Sequence, residues 1–336
     1  MEHKFKVKVP NGHKVFLDNS LVISTVHLNL WREVAEDFSR ISFPIGDGKI
    51  TVAAYWNNNN TLDRIINNIK QDILLETSGK PSPEMFFEDT DQNYEIEFSV
   101  KVHSNKPVDS VKTYFDNFLY SMFLAFNLSA PSSFSVKDWS SKNVSFGINE
   151  LDGTLLEGVW LVGITNNWPS IVGIPINRTW DWIVNLQIAQ KQLAVSNTEK
   201  ALFAFIHACK CSPTDPASLI WLAHALEALY DTPSNAVTKT LQDRICIFLS
   251  EKILNVKEFK KSIRKFYELR SRFVHGDLEI PLPTLNETLD ASVDDYIRMS
   301  ANAYDFAFNI VIVTIQKMIL NNWKTINFRE IFDGVN

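Results

Sequence analysis

The sequence predicts an α+β protein in two parts: a mixed, strand-rich first half over residues 1–176 and an all-helical second half over residues 177–336. Tyr94-Glu95-Ile96-Glu97-Phe98-Ser99-Val100-Lys101-Val102 alternates apolar and polar residues almost without fault, the period of a half-buried strand. β-Branched and aromatic runs of similar length recur on both sides of it, with few helical stretches between them. Beyond a boundary between Thr165 and Trp180 the apolar period becomes helical and stays so. Breakers there sit where helix ends belong, at Ser212-Pro213-Thr214-Asp215, Asp231-Thr232-Pro233-Ser234 and Pro281-Leu282-Pro283.

In chain order, strands are expected at Lys4–Val9, Val15–Val26, Ile41–Phe43 and Lys49–Tyr55, with Leu28–Ser39 either a short helix or an irregular excursion. Asn57–Asn60 reads as a polar loop, and Thr61 as the cap of a helix over Leu62–Leu75. Lys80-Pro81-Ser82-Pro83 breaks the chain before the alternating strand. In Val108–Leu128, Val111, Phe115, Phe118, Leu119, Met122, Phe123 and Phe126 recur at helical spacing, so this helix should pack on a sheet. After the Pro131-Ser132-Ser133 turn, strands are expected at Phe134–Trp139, Val144–Ile148, Leu155–Ile164 and Ile171–Ile176. The second half should hold helices at Trp180–Ala194, Thr198–Cys209, Pro216–Tyr230, Asn235–Leu249, Val256–His275 and Val293–Asn321, with a short tail from Phe328. Asp215 followed by Pro216 makes a cap and first-turn pair.

Composition bounds the function classes. With 336 residues, 45% of them hydrophobic, and 23 Phe, the chain fits about two globular domains with sizeable cores. A net charge of -6 argues against a uniformly basic nucleic-acid coat but allows a local basic patch. Cys209, Cys211 and Cys246 are an odd set of three, which fits a reducing cytosol better than a disulfide framework. The first residues lack the apolar core of a signal peptide. The most apolar run, Phe306–Gln316, is shorter than the roughly 20 residues that span a bilayer, so no membrane association is expected.

The chemistry concentrates in Phe259–Asp277, an amphipathic basic helix that stops at Gly276. Arg270 and His275 stand five positions apart, and Ser271 follows the arginine directly. Metal-free RNA cleavage needs activation of a ribose 2′-hydroxyl, stabilisation of a charged phosphorane and protonation of a leaving group. A histidine can give and take protons near neutrality, and an arginine stays cationic and can fork onto phosphate oxygens. On an ideal helix the two residues are separated by a rise of about 7.5 Å and an angle of roughly 140°, which the reach of the arginine can bridge, but one Arg–His pair is a sparse active site. Eight basic residues lie between Glu251 and His275 (Lys252, Lys257, Lys260, Lys261, Arg264, Lys265, Arg270 and Arg272) against three acidic ones, an electropositive strip suited to a phosphate backbone. Such a strip also serves simply to solvate a helix face. Tyr267 is placed to stack on a base. Glu227, among Leu222, Leu226 and Leu229, needs a partner, with Arg270 or Arg244 as the candidates. It reads either as an orienter of Arg270 or as a structural ion pair.

The Leu-Arg-Ser-x-x-Val-His-Gly context of Arg270 and His275 resembles the R-x4-H motif of the HEPN superfamily, in its ApeA-like branch. Leu219-Ile220-Trp221-Leu222-Ala223-His224-Ala225-Leu226-Glu227-Ala228-Leu229-Tyr230 is similar to the A-L-E-x-L segment that precedes the motif helix there. The resemblance covers the chain from Trp180 onward and none of the first half. It implies an all-α HEPN-like bundle and a cytoplasmic, metal-independent endoribonuclease with no cofactor. By it, Arg270 would stabilise the phosphate and His275 would be the acid/base group. Ser271, Glu227 and Tyr267 would support them, and Arg272, Lys265, Arg264 and Lys261 would bind RNA. It further implies a homodimer in which two motif helices face each other and complete one composite site. A role in prokaryotic antiphage defence or a toxin-like response would follow, with the first half sensing a phage or host trigger. Ser271 departs from the Asn, Asp or His common after the arginine and is a weaker hydrogen-bonding version of that device. The alternative is a non-catalytic module binding RNA, nucleotide or a partner protein.

Other constellations carry less. Cys209-Lys210-Cys211 with His207 and His224 lacks a second metal-ligand pair, and His224 with Glu227 lacks a second histidine. No phosphate-cradling glycine motif is present. Trp56, Trp139, Trp160 and Trp168 are expected either to fill the core or to line a recognition surface.

Overall fold

The computed structural model describes residues 2–9, 20–38, 42–45, 50–55, 60–78, 94–102, 108–136, 138–141, 144–146, 151–166, 168–233 and 237–329. The protein is α+β. Its chain divides into two compact units, one of residues 1–161 and 172–192, the other of residues 162–171 and 193–336.

The first unit holds β1 (Glu2–Val9), α1 (Ser20–Glu33), β2 (Ser42–Ile45), β3 (Ile50–Tyr55), α2 (Thr61–Thr77), β4 (Tyr94–Val102), α3 (Val108–Ser129), β5 (Asp138–Ser141) and β6 (Val144–Phe146). The strands form one antiparallel sheet in the order β2-β3-β4-β1-β5-β6. Alternation sets its faces. Phe5, Val7 and Val9 of β1 are buried while Lys4, Lys6 and Lys8 are exposed, and Phe5 pairs with Phe98 across the β1–β4 ladder. The aromatic stripe of α3 covers the buried face as its spacing predicts. Phe115 stacks on Phe5 at 4.3 Å, and Phe118 meets Phe98 edge-on at 5.8 Å.

The chain after α3 stays buried from Ala130 to Val136, so its backbone needs partners. The Pro131 carbonyl accepts from His27 Nε2 at 2.8 Å and from Trp160 Nε1 at 2.9 Å. Complete burial pushes the His27 imidazole down to about 4 and keeps it neutral, against the raising effect of that hydrogen bond.

Three expected strands are helical or irregular instead. The described part of Val15–Val26 is the start of α1, where Ile23, His27, Leu30 and Val34 recur at helical spacing on a buried face. The β-branched run Val22–Val26 hid that period, and residues 15–19 lie outside the described residues. Leu155–Ile164 is a short 3-10 turn followed by α4 (Glu157–Thr165), with Leu156, Val159, Trp160 and Gly163 buried at helical spacing. An apolar run this short does not reveal its period. Ile171–Pro175 is irregular, and α5 (Ile176–Asn185) starts where Glu33 Oε2 accepts from the Ile176 amide at 2.9 Å.

The second unit is helical: α6 (Asn197–Ala208), α7 (Pro216–Leu229), α8 (Val237–Phe248), α9 (Val256–His275) and α10 (Ser292–Leu320). Residues 177–192, grouped by sequence with the helical half, belong to the first unit. Ser196 and Glu199 form a reciprocal capping box on α6, and Asp215 caps α7 by accepting from the Ala217 amide at 2.8 Å. The core lies along α10, where Phe308 meets Phe205 edge-on at 5.1 Å and Thr314 shares a 2.6 Å hydrogen bond with the Tyr230 hydroxyl. Among the described residues α10 is the one helix long and apolar enough to cross a membrane, and 78% of its most apolar window is buried inside the protein. The short helix expected from Phe328 does not form in residues 328–329, and residues 330–336 lie outside the described set.

Candidate functional site

Helix α9 packs on α7, α8 and α10 through Phe259, Ile263, Phe266, Tyr267 and Leu269, which are buried at helical spacing. Asn255 starts it, its side chain accepting from the Glu258 amide at 3.2 Å. Gly276 stops it with φ 81°, while the Asp277 amide donates to Arg272 O at 2.8 Å and the Gly276 amide to Phe273 O at 3.2 Å. This paired closure needs a left-handed residue, which a glycine adopts at least cost. His275 is thereby held at the last helical position with its side chain exposed.

Arg270 is in a different setting. Its side chain is half-buried, and its Nε is fully buried without a hydrogen-bond partner. Tyr267, one turn earlier, is buried, so its ring is not open to stack on a base as expected, and its hydroxyl approaches the Glu227 carboxylate without reaching full hydrogen-bond geometry. Burial first, then the negative charge of Glu227 and the hydroxyl's hydrogen-bonding interaction with it, pushes the Tyr267 phenol well above its usual value, and Arg270 opposes the shift. Glu227, Tyr267 and Arg270 thus form one electrostatic cluster where α7 meets α9. Among the described ion pairs none joins Glu227 to Arg270. Arg244 is not the partner of Glu227 either. It donates to the carbonyl oxygens of Tyr230 and Asp231 and lies over the Phe328 ring at 4.7 Å.

The structure therefore brings Arg270 together with Tyr267 and Glu227, and places His275 away from them on the helix. On an ideal helix, Ser271 and Arg272 precede His275 by four and three residues and share its face, whereas Arg270 lies about 140° round. Ser271 is half-buried, Arg272 exposed, and neither has a side-chain hydrogen bond among the described residues.

The basic strip is partly neutralised. Lys260 pairs with Asp243 of α8 at 2.6 Å, and Lys261 with Glu258 at 3.5 Å. Among the described residues Arg264, Lys265 and Arg272 have no ion-pair partner, and all three are exposed. Lys265 and Arg272 border a cleft of about 640 Å³ between α9, α10 and the two residues Asn166 and Trp168.

That cleft is what sequence reasoning missed. Trp168, packed edge-on against Phe306 at 4.5 Å, stands almost a hundred residues before Lys265 in the chain. The available signal was that Phe266 and Leu269 widen the apolar face of α9 beyond what one neighbouring helix covers. Of the other tryptophans, Trp160 is buried on the Pro131 carbonyl, and Trp56 lies outside the described residues. His207 stacks on Trp221 at 4.3 Å, and burial lowers its imidazole below the usual range. Cys209 is buried beside it in the chain, and no three His, Cys, Asp or Glu among the described residues are grouped to hold a metal.

Chemically, a half-buried guanidinium with unspent donors can grip a phosphate, and an exposed imidazole at a rigid helix end can exchange protons. Comparison with protein-family models, with curated proteins and with solved structures finds no match for this chain.

Proposed function

We propose that the protein is a metal-independent endoribonuclease of HEPN type, acting at the exposed end of α9. The observation that carries this reading is Arg270. It is a half-buried cation with a fully buried, unpartnered Nε–H, on the same helix as an exposed histidine. An unspent buried donor is costly, and such groups are kept where a ligand completes them. A phosphodiester supplies the anionic oxygens that Arg270 lacks.

Because Arg270 and His275 of one chain point to different sides of α9, the working pair is assigned to two chains. Arg270 of one protomer and His275 of the other then meet at one scissile phosphate across facing helices. The exposed side chains of Val274, Ile280, Leu282 and Leu289, on and just after the end of α9, supply apolar surface for that contact. His275 abstracts the 2′-hydroxyl proton or protonates the leaving 5′-oxygen, and Arg270 holds the phosphorane charge. The product is a 2′,3′-cyclic phosphate and a 5′-hydroxyl end. Glu227 and Tyr267 set the position of Arg270, while Arg264, Lys265 and Arg272 guide the strand. The first unit serves as the sensor that releases activity in a defence or toxin-like response in the cytoplasm.

The test is cleavage of single-stranded RNA in excess EDTA by wild type, His275→Ala and Arg270→Ala, with product ends identified by mass spectrometry. Cyclic-phosphate ends from wild type, lost in both variants, are expected. Cleavage that persists in His275→Ala removes the assignment.

A further inference from the structure

The cleft beside α9 has the dimensions and chemistry of a nucleotide subsite. Its volume of about 640 Å³ lies within the roughly 300–1,000 Å³ of small-ligand sites. Its apolar wall is Trp168, Phe266, Leu269, Met299 and Ala303, with Trp168 fixed by its edge-on contact with Phe306 at 4.5 Å. An aromatic wall of this kind accepts any nucleobase by stacking. Lys265 and Arg272 stand at its border without an ion-pair partner among the described residues, and the Asn166 and Asn302 amides likewise carry no described side-chain hydrogen bond. Two carboxylates also line it. Glu258 is engaged by Lys261 at 3.5 Å, and Glu268 has no described partner, which suits it to accept from the exocyclic amino group of a base.

We propose that this cleft seats one nucleotide of a single-stranded RNA, its base against Trp168 and its phosphate on Arg272 and Lys265. Position ties it to the proposed site. Arg272 precedes His275 by three residues, a rise of about 4.5 Å on the same face. A strand with one phosphate on Arg272 therefore carries its next phosphodiester toward His275. The binding claim stands without cleavage, whereas the role of the cleft in choosing the cut position rests on the endoribonuclease reading. Glu268 further favours cytosine over uracil, because only cytosine offers an amino group.

The test is fluorescence anisotropy of a fluorescein-labelled single-stranded oligoribonucleotide in EDTA. It compares wild type with Trp168→Leu, Arg272→Gln and Ala303→Phe, each checked for an unchanged melting profile. Ala303→Phe fills the cleft while leaving Trp168 and Arg272 in place, so it reports on the cleft even where Trp168→Leu fails to fold. Binding about tenfold weaker is expected for the folded variants, the scale of one stacked base. Cytidine 5′-monophosphate should displace the oligonucleotide at concentrations where inorganic phosphate and uridine 5′-monophosphate do not. Wild-type binding by Ala303→Phe and Arg272→Gln overturns the proposal, as does equal displacement by phosphate alone. Weakened binding by the variants in a protein that cuts no RNA keeps the cleft and removes the nuclease. Cutting at unchanged positions by the cleft variants keeps the nuclease and removes the role of the cleft in choosing the cut.

Discussion

On one side of α9, Arg270 and Tyr267 lie toward α7 under the influence of Glu227, half-buried and buried, and the Arg270 Nε finds no hydrogen-bond partner. On another, Arg264, Arg272 and His275 are exposed, and the glycine stop after His275 fixes the end of the helix without burying it. The two residues of one short motif thus meet opposite physical conditions. Burial lowers the local dielectric and strengthens the hold of Arg270 on an incoming charge, at a cost in stability. Exposure leaves the His275 side chain accessible, as the proposed mechanism requires. Truncation of Arg270 should therefore alter both folding and activity, and truncation of His275 activity alone.

The largest expected effect is at the exposed end. His275→Ala should reduce cleavage by about 10²–10⁴-fold, the usual contribution of a general acid or base, with no shift in melting temperature. A fall in melting temperature would mean that the imidazole is structural.

The buried histidine of the first unit sharpens the contrast. His27 is held neutral with its imidazole down at about 4, below its ordinary 6.5. Between these values the unfolded chain binds a proton at this position that the folded one does not, so the contribution of His27 to stability is complete above pH 6.5 and falls as pH drops toward 4. The loss amounts to about 3 kcal/mol. Glu157 and Asp305, raised by burial to about 7, and Asp72, raised by burial to about 6, titrate in the opposite sense in both proteins. Denaturant titrations at pH 7, 5.5 and 4.5 should therefore show the linkage as a difference between wild type and His27→Gln that changes with pH by about this amount. A pH-independent difference between the two would refute the linkage.

On the buried side of α9, Arg270→Ala should cost about 1–2 kcal/mol of stability through lost packing and the loss of the positive neighbour to Glu227. Cleavage should fall at the same time by about a hundredfold. Loss of activity alone would place Arg270 with the exposed residues. Gly276→Ala should cost about 1 kcal/mol, because φ 81° is a left-handed conformation, although a Cβ there meets nothing within 4 Å. The smallest effect belongs to Tyr267→Phe. Removing a buried hydroxyl whose approach to Glu227 falls short of full hydrogen-bond geometry should change stability by no more than about 0.5 kcal/mol. A loss of more than about 1 kcal/mol in thermal unfolding would show that the hydroxyl is satisfied after all.

How much of this was legible in the sequence varied with how local the signal was. The bounds of α9 were readable because Asn255, the apolar spacing and Gly276 all lie within one stretch. β4 was readable because its alternation is complete. In α1 the β-branched residues imitated a strand, and only the burial of His27 and Trp31 makes its helical face plain. The cleft was not legible. It joins Trp168 to Lys265 and Phe306 by tertiary packing, and the second unit takes residues 162–171 from an earlier part of the chain. The neutralisation of Lys260 by Asp243 was equally hidden, because it needs the packing of α8 against α9. The different surroundings of Arg270 and His275 follow in outline from the angle between them on a helix. Which of the two lies on the buried side depended on α7.

The central claim is that the arginine and histidine at one scissile phosphate come from different chains. Its most direct test is to co-express Arg270→Ala and His275→Ala chains carrying different tags, purify the mixed dimer through both tags, and assay RNA cleavage in EDTA. Pairing between chains leaves one intact arginine–histidine couple in the mixed dimer, so activity should return to roughly half that of wild type while each variant alone stays inactive. Failure of the mixed dimer to cut RNA that wild type cuts under the same conditions would contradict the claim.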